Sequence, residues 1–211
     1  MKLEDIISKY EHPVIGVIGA ASPLPGYDSA DSYRLGYELR ELIENGGSLF
    51  TGGVSGIGTD FYEGVVDYCS ERGLEDRFFI LFPEGLQPSK AYFKLAEKTK
   101  NGTLRIERAG KNLEERRSYV GAIADALILV NGAEGTIDEA LKGLLLGKPL
   151  VCLQNSGGAA DVICKLKSGE VKIPLEINTD LIKPFDSITD IVKYLSNGEL
   201  YNLGEKLKWV N

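Results

Sequence analysis

Arg116 and Glu139 are two side chains in this sequence whose types could do chemistry. A guanidinium binds oxyanions and carboxylates through paired donors. A glutamate can stabilise developing positive charge or activate a water molecule. Both sit in the stretch Asn112–Glu139, which reads as a capped helix, a buried strand and a glycine turn that opens a second helix. Asn112 is placed to cap the first helix, and Glu115 follows three residues later as in a capping box. At 100° per residue, Leu113, Arg116, Val120 and Ile123 share one face, with Arg117 on its edge. A guanidinium inside an apolar stripe stays charged and needs an acceptor. Two readings are open: a structural ion pair, or an arginine facing an anion in a cleft.

The elements that must position this pair follow from the same stretch. Ala124–Val130 reads as an apolar run of strand length, suited to a central parallel strand covered on both faces. Asn131-Gly132-Ala133-Glu134-Gly135-Thr136 then forms a turn into a helix start, where free backbone N–H groups and the helix dipole favour an anion. On the new helix, Thr136, Glu139, Gly143 and Leu146 share one face, while Ile137, Ala140, Leu141 and Leu144 form the core stripe. Glu139 therefore faces a cleft, a partner or solvent.

These residues resemble the Lonely Guy (LOG) phosphoribohydrolases, long labelled lysine decarboxylases, and the wider SLOG superfamily. The family hallmark is an Arg-Lys pair on a helix followed by P-G-G-x-G-T-x-x-E. Here Arg116-Arg117 stands for the pair, and the segment from Asn131 to Glu139 stands for the motif. The resemblance implies catalytic roles for Arg116 and Glu139. It implies ligand contacts for Arg117, Gly132, Ala133, Gly135 and Thr136, and a homodimer or higher homo-oligomer. Two departures stand out. Asn131 replaces the proline, and Ala133 replaces the second glycine, where its methyl group narrows the backbone approach to a phosphate.

Three more glycine turns follow expected strands. The first strand, Val14–Gly19, leads into Gly19-Ala20-Ala21-Ser22-Pro23. In the resembling families this turn, with Gly19 and Ser22, contacts the nucleotide. The dinucleotide fingerprint G-x-G-x-x-G is absent from it, which disfavours a simple NAD enzyme. A helix over 29–45 and the strand Ser48–Thr51 follow. The next turn, with Gly52, Gly53, Ser55 and Gly56, resembles the T-G-G-x-x-G segment of the SLOG group and opens a helix over 59–72. Asp60 and Glu63 there either complement the helix dipole or hold a ribose hydroxyl. Arg77–Pro83 reads as the third strand. Residues 84–101 are looser and read as a flap over the site. Leu104–Arg108 alternates as a half-wet strand. Beyond the central stretch, Leu150–Gln154 is a strand whose turn carries Ser156-Gly157-Gly158. That turn resembles the S/T-G-G-x-A-D segment of certain SLOG members, including the N-terminal regions of TRPM channels, and marks Gly157 and Gly158 as ligand contacts. Ile182–Phe185 reads as an edge strand, where Pro184 is tolerated. Ser187 caps a helix over 188–197, and Tyr201, Leu203, Leu207 and Trp209 are expected to pack on the body.

Strand–helix alternation throughout predicts one α/β domain over 1–211, a Rossmann-like, doubly wound parallel sheet with helices on both faces. Its ligand belongs at the carboxyl ends of the strands, where strand order reverses. Composition narrows the partners. The 211 residues carry a net charge of −7 and no basic run, which argues against a nucleic-acid polymer. No apolar stretch approaches a membrane span, and the acidic start of the chain is unlike a signal peptide. One histidine, His12, and three cysteines at unrelated spacings (Cys69, Cys152, Cys164) leave no metal-site pattern and disfavour histidine catalysis. No lysine is singled out as a Schiff-base residue, so amino-acid decarboxylation has little support. The expectation is a cytoplasmic protein for a small-molecule nucleotide, with no cofactor and no metal. The resemblance implies hydrolysis of the N-glycosidic bond of a nucleoside 5′-monophosphate. The alternative it offers is a binding module or carrier for an ADP-ribose-like nucleotide or molybdenum cofactor.

Overall fold

The computed structural model describes residues 3–199. In chain order the elements are α1 (Leu3–Ile7), β1 (Val14–Gly19), α2 (Ser29–Leu42), β2 (Ser48–Thr51), α3 (Ile57–Arg72), β3 (Phe78–Phe82) and α4 (Lys90–Ala96). Then come β4 (Arg105–Arg108), α5 (Leu113–Ile123), β5 (Ala126–Val130), α6 (Glu134–Leu145), β6 (Leu150–Leu153), α7 (Gly158–Ser168), β7 (Ile182–Phe185) and α8 (Ile188–Tyr194). The expected packing of Tyr201, Leu203, Leu207 and Trp209 lies outside the described residues.

The seven strands form one parallel sheet in the order β4-β3-β2-β1-β5-β6-β7. The alternation of side chains along each strand divides the core in two. Ile15, Val17, Ile128 and Val130 point into the layer formed by α2, α3, α4 and α8. Val14, Ile18, Leu127 and Leu129 point into the layer formed by α1, α5, α6 and α7. The α/β architecture with helices on both faces is thus as the alternation predicts. Strand order reverses between β1 and β5, so their carboxyl ends diverge there.

Several local expectations shift. β5 starts at Ala126, because Asp125 is not part of the apolar run: its carboxylate accepts from the Val14 N–H at 2.7 Å and pairs with His12 at 2.5 Å. The segment expected as a flap is docked. Within it, Tyr92 is fully buried in the layer of α3, and the Ser89 N–H donates to the Gly53 carbonyl. β7 sits at the sheet edge, where Pro184 needs no donor on its outer side. Ser187 caps α8 by accepting from the Asp190 N–H, and the helix runs on into a π turn over Leu195–Glu199.

Candidate functional site

Arg116 and Glu139 meet because α5 and α6 cross closely. At the crossing, a Cβ on Gly121 would stand 2.8 Å from the Gly143 Cα, so neither helix has a side chain there. The small-residue face around Gly143 thus serves an intramolecular neighbour. One to one and a half turns toward the N-termini, Arg116 Nη2 lies 2.8 Å from Glu139 Oε1. Both residues are 5% exposed. The register of α5 is fixed by its cap: Asn112 accepts from the Glu115 N–H at 2.9 Å. The reciprocal bond of a capping box is moved by one residue, since Glu115 accepts from the Lys111 N–H.

The guanidinium of Arg116 lies against the turn after β2. A Cβ on Gly52 would stand 2.6 Å from Nη1, so glycine is what lets the arginine in. Its buried Nε–H has no hydrogen-bond partner. Burial pushes the Glu139 carboxyl above the ordinary carboxylate range, against the pull of Arg116. Arg117 is half-buried over α6, with Asp138 at 3.6 Å. A Cβ on Gly135 would come within 2.6 Å of its Nη2.

These groups line a cleft of about 230 Å³ at the point where β1 and β5 diverge. One wall is the end of β1 and its turn, Gly19 to Ala21. A second wall is Thr51, Gly52 and Val54, and a third is α5 with Leu113, Arg116 and Arg117. The fourth is Ala133, Gly135, Thr136 and Glu139 at the start of α6. No side chain caps α6; the N–H groups of Thr136 and Ile137 turn back to the Ala133 carbonyl. The amides of Glu134 and Gly135 lead that helix, as a helix N-terminus does at an anion site. Tyr92 forms part of the floor; its hydroxyl donates to the Val54 carbonyl and lies 3.0 Å from Thr51 Oγ1.

Of the residues singled out in the sequence, the cleft gathers Gly19, Gly52, Arg116, Arg117, Ala133, Gly135, Thr136 and Glu139. It does not gather Ser22, Gly53, Ser55, Gly56, Gly132, Gly157 or Gly158. Ser22 and Ser55 are exposed outside it. Gly53 packs on Phe82, and Gly56 on the Ala20 and Ala21 carbonyls. Gly132 lies beneath Thr136 and against Ala159. Gly157 and Gly158 face the Pro25 and Gly132 carbonyls. Asp60 accepts from the Tyr27 hydroxyl and so anchors the loop after β1.

Asn131 has a role that its sequence position did not reveal. Its backbone adopts φ 51°, and its side chain ties three loops together. Oδ1 accepts from the N–H groups of Leu24 and Gly132; Nδ2 donates to the carbonyls of Leu24 and Ser156. Its own N–H donates to Ser156 Oγ. Asparagine tolerates the left-handed region, and that tolerance was the available signal. Leu113 was placed on the buried stripe, yet it is 39% exposed and lines the cleft. Among the described residues no group of three or more His, Cys, Asp or Glu could hold a metal ion, and no helix is long and apolar enough to cross a membrane.

No protein-family model matches the chain, and no curated protein matches it. Solved structures share its architecture. TM1055, a structural-genomics target, aligns with a TM-score of 0.62 at 19% identity, covering 87% of this chain and 98% of its own. DNA processing protein A of Helicobacter pylori, described for its single-stranded DNA binding mode, gives 0.59 at 17% identity over 91% of this chain and 83% of its own. The molybdenum cofactor carrier protein of Chlamydomonas reinhardtii gives 0.59 at 17% identity over 90% and 98%. At such identities the likeness establishes the fold. The resemblance read from the sequence holds at that level, as a Rossmann-like fold.

Proposed function

Taking the SLOG-type fold as premise, we propose that this protein binds a nucleotide in the β1/β5 cleft and hydrolyses the N-glycosidic bond of a nucleoside 5′-monophosphate. The carrying observation is the buried Arg116–Glu139 pair, which lines the cleft together with the uncapped start of α6. Breaking the bond between C1′ and the base nitrogen builds positive charge on the ribose, as in glycoside hydrolysis. An ionised Glu139 stabilises that charge and takes a proton from the water that adds to C1′; the departing base receives a proton in turn. Burial favours the neutral acid, and Arg116 opposes it in favour of the carboxylate. The guanidinium, which lines the cleft, offers N–H groups to a ribose or phosphate oxygen. The amides at the start of α6, with Arg117 beside them, receive the phosphate.

A second reading is binding without cleavage, as in a carrier or sensor for an ADP-ribose-like nucleotide or molybdenum cofactor. Ala133 favours it, because its methyl narrows the approach to the backbone, and so does the carrier protein among the structural neighbours. The proposed partner is a small molecule. Exclusion of a nucleic-acid polymer rests on the net charge of −7, and the fold's likeness to a single-stranded DNA binder makes an oligonucleotide a necessary arm of the test. A homodimer and a cytoplasmic setting belong to the same proposal, carried by the resemblance and by three free thiols.

The test incubates the protein with nucleoside monophosphates, ADP-ribose, NAD and a short single-stranded oligonucleotide, with released base followed by chromatography. Release by the parent and none by Glu139→Gln supports hydrolysis. Binding without release moves the function to the carrier reading. Neither binding nor release leaves Arg116 and Glu139 as a structural pair and removes the nucleotide proposal.

A further inference from the structure

We infer that Leu113 is a specificity-determining residue that packs against the planar base of the bound nucleotide; this rests on the nucleotide reading above. Leu113 opens α5, three and four residues before Arg116 and Arg117. On a helix those offsets place its Cα one turn before those of both arginines, about 5 Å along the axis and on the same side. It belongs to the same face as the buried Arg116, Val120 and Ile123, yet it is 39% exposed and lines the cleft. Val54 and Ala21, two more apolar side chains, line the same cleft, as do the charged Arg116, Arg117 and Glu139. Arg116 and Glu139 are nearly buried, while Leu113 is the open part of this lining. The cleft therefore has a buried charged pair and, beside it on α5, an exposed apolar side chain.

A ligand that fits both carries an oxygen-rich and an apolar part side by side. In a nucleotide the base is attached directly to C1′, so with the ribose at the Arg116–Glu139 pair the base is the part left to meet Leu113. The base can lay an apolar face on Leu113 while its polar edge stays in water. Leu113 would then hold the leaving group, and its contact would be lost when the base departs. Ribose 5-phosphate, which has no base, would not touch it.

Calorimetry in a Glu139→Gln background, which removes turnover, compares AMP with ribose 5-phosphate. The same two ligands are run with Leu113→Ser and Leu113→Met added. Replacing the apolar contact with serine is expected to weaken AMP binding about fivefold, the effect of leaving roughly one or two methylene groups uncovered. Ribose 5-phosphate should bind as before, and methionine should restore AMP binding. Equal weakening of both ligands by serine, or no change in either, overturns the role of Leu113. Failure of both ligands to bind the parent protein overturns the nucleotide reading, and this inference with it. The two failures are thus distinct: one appears only in the leucine variants and the other already in the parent.

Discussion

The turn after β5 and the turn after β6 look alike in sequence and differ in what they do. Each runs from a buried strand through glycine into a helix. After β5, Ala133, Gly135 and Thr136 at the start of α6 line the cleft, and α5 brings two arginines to it. After β6, the amides at the start of α7 are engaged by the neighbouring turn: the Ala159 N–H donates to the Gly132 carbonyl at 2.8 Å and the Ala160 N–H to the Asn131 carbonyl at 3.0 Å. The helix N-terminus of α7 is thus docked on the neighbouring turn. The difference teaches that a glycine turn at a strand's end is an anion site only when its N–H groups have no other destination. Glycine serves packing in one turn and access in the other.

The sharpest way to break this comparison is to add one methyl group to each turn. In the turn after β6 a Cβ on Gly158 would stand 2.1 Å from the Gly132 carbonyl oxygen, and one on Gly157 would stand 2.1 Å from that of Pro25. Both glycines also have positive φ, 60° and 88°. Backbone atoms cannot yield as a side-chain tip does. Gly158→Ala is therefore expected to cost at least about 4 kcal/mol, combining left-handed strain with overlap. Urea unfolding measures it, and a loss under 1 kcal/mol would dismiss the docked-turn account.

Arg116→Ala probes the other side, with an effect that depends on pH. It leaves Glu139 buried without its cation, an expected loss of about 3 kcal/mol at pH 8. Burial already holds this carboxyl above its ordinary value, and losing Arg116 raises it further. A carboxyl whose folded pKa lies above its unfolded one contributes stability that is present at low pH and lost as pH rises through the folded pKa. The penalty of the variant must therefore shrink toward pH 5, where protonation relieves the buried charge. Equal penalties at pH 8 and pH 5 in urea titrations would show that Arg116 does not control the protonation of Glu139.

Asn131 connects the two turns, and its removal should be felt by both. Asn131→Ala deletes all four side-chain hydrogen bonds that join Leu24, Gly132 and Ser156. Leaving those backbone groups unpaired is expected to cost about 2 kcal/mol, with water recovering part of the loss. Thermal melting checks it. Proline, which the resembling families carry at this point, has no N–H for Ser156 Oγ and cannot reach φ 51°. The departure from the motif is therefore a different way of bracing the same turn.

Much of the fold was readable because strand–helix alternation has few parallel solutions. The pairing of Arg116 with Glu139 was half readable: helical periodicity put the arginine in an apolar stripe and the glutamate off its own core. That the two meet depends on the Gly121–Gly143 crossing, a contact between helices that no local pattern encodes. The split among the glycines was unreadable for the same reason. Gly52 and Gly135 make room for arginine tips, while Gly157 and Gly158 make room for backbone carbonyls. Sequence shows the missing side chain but not its neighbour. Tyr92 was hidden in a stretch of looser pattern, because its partners, Thr51 and Val54, lie some forty residues away.

The smallest expected change in stability sharpens the comparison most. Gly135→Ala adds the same methyl as Gly158→Ala, at the start of the helix that faces the cleft. Its Cβ would meet Arg117 Nη2 at 2.6 Å, the end of a flexible side chain that is 30% exposed. The arginine can swing away, and alanine favours the helix. Stability should change by less than about 0.5 kcal/mol. The displaced guanidinium, however, no longer stands beside the amides of Glu134 and Gly135, so affinity for a nucleoside monophosphate should fall about threefold, the effect of moving one half-exposed charge by a few ångströms. Melting curves and calorimetry on the two alanine variants separate the outcomes. If Gly135→Ala unfolds the protein as Gly158→Ala does, both turns are packing devices and the cleft loses its distinction. If it spares the fold and weakens the ligand, the turn after β5 is the one that meets it.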